Sequence, residues 1–74
     1  MAGTITDLGA TLYASGEIGL NDEGEIATYT VDPGDTVYGI GDRLSVDYIT
    51  LLSYNGKFSF EEEIRPGEIL ILRP

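Results

Sequence analysis

The chain has 74 residues, a formal net charge of −9, and no cysteine or histidine. This length holds one small domain, and the excess of 13 acidic over 4 basic side chains would repel nucleic acids and anionic lipid surfaces. Without cysteine and histidine the chain lacks disulfides, the usual zinc ligands and the commonest general base, so we expect no cofactor, no metal site and no catalysis.

The first 25 residues are predicted to form an N-terminal extension that contains one strand of a β-hairpin. Glycine is frequent there and the apolar residues follow no helical spacing, which indicates short strands and turns. Residues 15–20 can pair antiparallel with residues 25–30 through a loop of Asp22, Glu23 and Gly24, in which Gly24 is the left-handed residue of a bulged hairpin. The alternative is that the extension is a disordered tail.

A strand and a short helix follow the extension. Residues 26–32 alternate β-branched and aromatic side chains with a period of two, which predicts a strand that stops before Pro33. The helix is predicted from a capping residue and a buried stripe: Asp35 or Thr36, then Val37, Ile40 and Leu44. Gly39 and Gly41 lie inside this helix at a cost of about 1 kcal/mol each, so either tertiary packing compensates or another segment approaches closely.

A second helix and a last strand complete the predicted order. Asp47 is a candidate N-cap, and Asn55 with Gly56 can end this helix as a left-handed C-cap. Residues 68–73 are predicted to form a strand with apolar residues on both faces. The residues that we place in the core around these elements are Tyr29, Leu51, Leu52 and Tyr54.

The strand residues that point away from the helices are predicted to be aliphatic: Ile26, Ile69 and Ile71. The outer face of a lone two-stranded sheet should be polar, so we expect another segment or a partner to cover this face. The hairpin register places Ile18 and Leu20 beside Ile26.

Three blocks of the sequence resemble the LysM domain. They are YTVDPGDTVYGI at residues 29–40, LSVDYITLLSYNG at residues 44–56 and IRPGEILIL at residues 64–72. The blocks correspond to the family's opening Tyr-x-Val-x-x-Gly-Asp-Thr, its Leu-x-x-x-Asn helix ending and its Ile-x-Pro-Gly-x-x-Leu lead into the last strand. Ser45 stands where the family often has glycine, which leaves the backbone conformation of the turn between the helices open.

The resemblance covers residues 29–74 and implies an α+β fold for a domain that we place at residues 26–74. The family order is βααβ, with two helices on one face of a small antiparallel sheet. The N-terminal hairpin strand, within residues 1–25, would extend that sheet.

The resemblance also implies a shallow groove for N-acetylglucosamine units between the loop after the first strand and the loop after the second helix. Carried over by position, its walls are Gly34, Asp35, Thr36 and Val37 on one side, and Asn55, Gly56, Lys57, Phe58 and Ile64 on the other. Helix caps and turns favour many of the same residue types, so a purely structural role is the alternative at these positions. We interpret the acidic residues 61–63 and 21–25 as solvated surface rather than a catalytic pair or a calcium site.

The resemblance predicts a noncatalytic module of a bacterial cell-envelope or secreted protein that binds peptidoglycan or chitin. The alternative is an envelope assembly module with a vestigial groove, which meets a protein partner or a second copy through Ile26, Ile69 and Ile71. In neither case do we expect binding to nucleic acid or insertion into a membrane.

Overall fold

The computed structural model describes residues 5–57 and 64–73. Its elements are β1 (Glu17–Leu20), β2 (Ile26–Thr30), α1 (Val37–Leu44), α2 (Tyr48–Tyr54) and β3 (Ile69–Ile71). The strands form one antiparallel sheet in the order β1-β2-β3. The predicted α+β fold, with a hairpin strand added before the βααβ unit, is therefore confirmed. Among these described residues, no helix is long and apolar enough to cross a membrane.

The hairpin between β1 and β2 is closed by the side chain of Asn21. Its Oδ1 accepts hydrogen bonds from the backbone N–H groups of Glu23 and Glu25, both at 2.9 Å. Gly24 has a φ of 78°, the left-handed conformation predicted for it. Residues 17–20 are thus an ordered strand of the sheet and not part of a disordered tail.

A β-bulge in β2 changes which residues face the core. Gly19 lies opposite Thr28 and Leu20 lies opposite Ile26, so Ala27 is an extra residue without a partner on β1. The bulge interrupts the alternation of side chains, and Ile26 packs against the core. The prediction that Ile26 belongs to the outer sheet face is therefore wrong.

The N-terminal strand does not cover the outer face in the way that the sequence predicted. Ile18 lies opposite Tyr29 and packs against the core, on the side of the helices. On the outer face, Ile69 is 63% exposed and Ile71 is 47% exposed. Strand β1 therefore widens the sheet while these two isoleucines stay in contact with solvent.

Both helices begin at capping side chains that the sequence predicted. The Thr36 hydroxyl accepts a hydrogen bond from Gly39 N–H at 3.0 Å, and the Asp47 carboxylate accepts one from Thr50 N–H at 3.2 Å. Helix α1 ends at Ser45, whose φ of 54° is left-handed. The turn between the helices thus adopts the conformation that glycine favours, although serine occupies the position.

The core lies between the sheet and the two helices. Its buried members are Ala14, Tyr29, Val31, Ile40, Leu44, Leu51, Leu70 and Leu72, with Leu52 buried nearby. Tyr54 is 37% exposed, so its predicted place in the core is wrong. It is the last residue of α2, where the helix reaches the surface.

Residues 5–16, which we call the N-terminal segment, pack against α1 and are held there by Arg43. The guanidinium donates from Nε and Nη2 to the two carboxylate oxygens of Asp7, at 2.8 and 3.1 Å. Its Nη1 donates to the carbonyl oxygens of Ala14 and Gly16, both at 2.9 Å. Arg43 is only 7% exposed, and a buried charge needs such partners. The segment is therefore fixed to the domain.

Candidate functional site

The described wall residues belong to two loops and to the first residue of α1, Val37. The first loop, residues 31–36, lies between β2 and α1, and the second follows α2, where residues 55–57 and 64–68 are described. The backbone of Glu68 connects the two loops, since its carbonyl oxygen accepts from Val31 N–H at 2.9 Å. The Glu68 carboxylate lies 3.1 Å from Lys57 Nζ, an ion pair within the second loop. The two loops consequently lie side by side.

Asp35 holds the first loop in shape. Its carboxylate accepts hydrogen bonds from the Tyr29 hydroxyl at 2.5 Å, from Ser15 N–H at 2.9 Å and from Asp32 N–H at 3.0 Å. Partial burial raises the pKa of Asp35, but these hydrogen bonds outweigh it and the pKa lies below its ordinary value. Asp35 is an ionised structural acceptor at neutral pH, with donors from three parts of the chain.

Thr36 also uses its polar groups within the fold. Its hydroxyl caps α1, its N–H donates to the carbonyl oxygen of Tyr13 at 3.0 Å, and its own carbonyl oxygen accepts from Ile40 N–H at 2.9 Å. The structural alternative therefore accounts for the side chain of this predicted wall residue. The contact with Tyr13 also places the N-terminal segment against the first loop.

Asn55 clamps the end of α2 to β3. Its Nδ2 donates to the carbonyl oxygens of Leu51 at 2.8 Å and Ile71 at 2.9 Å, while its Oδ1 accepts from Ile71 N–H at 2.7 Å. The amide pairs with the backbone of Ile71 as a neighbouring strand would. The side-chain amide of Asn55 therefore positions the start of the second loop.

Four further wall residues present exposed glycine backbone or half-buried apolar side chains. Gly34 and Gly56 are exposed and left-handed, with φ of 91° and 69°. Val37 and Ile64 are half-buried and pack against the core. Phe58 lies outside the described residues. Surfaces of this kind can contact a neutral, polyhydroxylated ligand through backbone groups and apolar patches.

Two observations on the described residues concern catalysis and metal binding. Ser15 Oγ donates to Asp32 at 2.9 Å with no imidazole between them, which ties the loop together and does not activate a nucleophile. Among residues 5–57 and 64–73, no group of three or more acidic side chains could hold a metal ion. Residues 21–25 form the hairpin turn, and residues 61–63 lie outside the described part of the chain.

Sequence reasoning missed the residues of the N-terminal segment that touch the first loop, and it missed Arg43. Two signals were present. Gly39 inside a helix indicated close approach, and a Cβ at that position would overlap the backbone of Tyr13. Arg43 is three residues after Ile40, on the buried side of α1, where a base needs an acidic partner. Neither signal identifies the partner, which lies far away in sequence.

Comparison with known families gives one result. Residues 29–73 match the family model described as the LysM domain. The search of curated proteins and the search of solved structures each gave no match.

Proposed function

The chain belongs to the LysM domain family, and from this premise we propose that it is a noncatalytic module that binds polymers containing N-acetylglucosamine. LysM domains in general bind such glycans and typically belong to extracellular or envelope-associated proteins. For this chain the proposal is that peptidoglycan or chitin is the ligand. The module would then anchor a cell-envelope or secreted protein to it.

The observation that carries the proposal is the contact between the two loops through Glu68. The first loop carries the exposed backbone of Gly34 and the second that of Gly56, and Val37 and Ile64 are half-buried apolar residues next to or within these loops. An acetamido group and sugar hydroxyls can bond to loop backbone, while apolar side chains cover a methyl group or a ring face. Such binding needs no proton transfer, which agrees with the structural roles of Asp35 and Asn55.

Charge favours a neutral ligand. The chain has 4 basic side chains, and within the part that the structure describes three of them form ion pairs: Arg43 with Asp7, Lys57 with Glu68 and Arg73 with Glu25. With a net charge of −9, little positive charge remains to attract an anionic polymer. An uncharged glycan backbone would avoid this repulsion.

The test is a calorimetric titration with N-acetylglucosamine oligomers of increasing length. An extended polymer contacts several weak subsites, so affinity should increase from two to about four or five units, with roughly −4 to −6 kcal/mol for the short oligomers. Absence of binding at every length, or affinity independent of length, would contradict the proposal.

A matched pair of variants connects the binding to the first loop. Val37→Thr keeps the shape of the side chain but makes the apolar wall polar, and we expect weaker binding of every oligomer. Ile49→Thr makes a similar change at an exposed position on α2 and serves as the control. Equal loss of affinity in both variants would count against the first loop as a wall.

The second candidate function is an assembly module. It is favoured by the exposure of Ile69 and Ile71, which leaves adjacent aliphatic side chains of β3 in solvent. Sedimentation of the full chain distinguishes the two candidates. Self-association that disappears in Ile71→Lys would favour assembly, whereas a monomer that binds the oligomers would favour the glycan module.

A further inference from the structure

We propose that the N-terminal segment adds a subsite to the glycan groove, in which the ring of Tyr13 stacks on one further sugar of the same polymer. The inference rests on the proposed function and extends the site beyond residues 29–73, which match the family. Tyr13 is therefore a candidate specificity residue that the matched residues do not include.

The N-terminal segment lies directly against the first loop. The carbonyl oxygen of Tyr13 accepts from Thr36 N–H at 3.0 Å. Two residues further on, Ser15 donates from its N–H to Asp35 at 2.9 Å and from its hydroxyl to Asp32 at 2.9 Å. These bonds place the backbone of Tyr13 at the edge of the proposed wall.

Helix α1 is shaped to receive this backbone. A Cβ at Gly39 would overlap both the carbonyl oxygen and the Cβ of Tyr13, so only glycine fits without displacing the segment. Glycine at position 39 lowers the stability of the helix but permits this close contact with Tyr13. The position of Tyr13 is thus built into α1 as well as into the first loop.

A tight turn presents the Tyr13 ring to solvent. Thr11 and Ala14 exchange backbone hydrogen bonds at 3.1 and 3.2 Å, which places Leu12 and Tyr13 at the tip. Ala14 is fully buried and Arg43 holds its carbonyl oxygen, yet Tyr13 is 55% exposed. A large ring on a fixed backbone can bind a ligand while losing little conformational entropy.

The chemistry of the position favours a sugar. The ring of a tyrosine offers an apolar face to the C–H groups of a pyranose. Asp32 and Asp35 accept hydrogen bonds from Ser15, two residues after Tyr13, and their charges would repel an anionic group. A further N-acetylglucosamine unit of the proposed polymer, which is itself uncharged, satisfies both conditions.

The test compares three variants in the same oligomer series. Tyr13→Ala removes the ring, Tyr13→Phe keeps it, and Leu12→Ala removes the other side chain at the tip of the turn, which is 81% exposed. The bond to Thr36 uses the backbone of Tyr13, so all three variants should fold, and thermal unfolding checks this. Ring NMR signals of Tyr13 in the parent chain give a second, variant-independent readout.

We expect Tyr13→Ala to lose about three- to tenfold in affinity for the longer oligomers, with the shortest bound as in the parent. Tyr13→Phe and Leu12→Ala should follow the parent, and the Tyr13 ring signals should shift only with the longer oligomers. Parent-like binding by Tyr13→Ala together with unmoved ring signals would overturn the subsite and leave the proposed function intact. Tighter binding by Tyr13→Ala would also overturn it, because the segment would then shield the loop. A parent that binds no oligomer would overturn both.

Discussion

Replacing Arg43 by methionine tests whether the N-terminal segment is an integral part of the folded domain. Methionine keeps an unbranched apolar side chain inside the protein but removes four hydrogen bonds, two to Asp7 and one each to the carbonyl oxygens of Ala14 and Gly16. The bond to buried Ala14 matters most, because its carbonyl oxygen loses a partner away from water. We expect the free energy of unfolding to fall by about 2 to 4 kcal/mol.

The matched variant Asp7→Asn removes the charge at the other end of this ion pair and replaces one of its two accepting oxygens by an NH2 group. The Asp7 side chain is partly exposed, so after allowance for screening by solvent the expected loss is about 1 kcal/mol. Hydrogen bonding from Arg43, and then from the backbone of Gly9, lowers the pKa of Asp7 to about 2. The stabilisation should be present above about pH 4 and should disappear as the pH falls towards 2. The parent and Asp7→Asn should therefore converge in acid.

Urea and thermal unfolding of both single variants and the double variant measure these effects. For a domain of this size, 1 kcal/mol corresponds to about 4 to 8 °C in Tm. Because Asp7 and Arg43 act as a pair, Asp7→Asn should have little further effect in the Arg43→Met background. Melting within about 2 °C of the parent for both single variants would show that the contacts of Arg43 with the segment contribute nothing to stability, and the reasoning would be refuted.

Three further changes probe the loops and the core. Asn55→Ala should lower the free energy of unfolding, measured in urea, by about 2 kcal/mol. Asn55→Asp should lower it further at pH 7, because a carboxylate oxygen would face the carbonyl oxygens of Leu51 and Ile71. Parent-like stability of either variant would contradict the clamp. Ser45→Gly should raise the free energy of unfolding by about 0.5 to 1 kcal/mol by relieving the left-handed backbone, and a lower Tm would refute this. Burial, followed by the hydrogen bond to Asp35, raises the pKa of Tyr29 to about 12. The parent should therefore lose stability as the pH rises from about 10 to 12, and Tyr29→Phe should lack this loss. An identical alkaline loss of stability in Tyr29→Phe would show that Tyr29 does not cause it.

Local signals in the sequence predicted most of the fold. The alternation in β2, the caps Thr36 and Asp47 and the glycine after Asn55 each act within a few residues, and the structure has an element boundary at each. Gly24 likewise predicted the hairpin loop. Such features are readable because turn, cap and strand geometry depend on neighbouring residues.

The features that the sequence did not reveal depend on contacts between distant residues. Asp7 and Arg43 are 36 positions apart, and nothing local to either identifies the other. The bulge at Ala27 depends on how β1 aligns with β2, and a shift of one residue reverses the face of a side chain, which is why Ile26 was misplaced. The roles of the wall residues were also ambiguous, since a cap and a ligand contact favour similar side chains.

Mapping backbone amide chemical shifts during titration with a five-unit N-acetylglucosamine oligomer tests the central claim most directly. A glucose oligomer of equal length, which lacks acetamido groups, serves as the control. The account predicts that the N-acetylglucosamine oligomer shifts the amides of residues 34–37 and 55–58 and that the control leaves them unchanged. Unmoved amides in both loops at saturating oligomer, or shifts confined to β3, would contradict it.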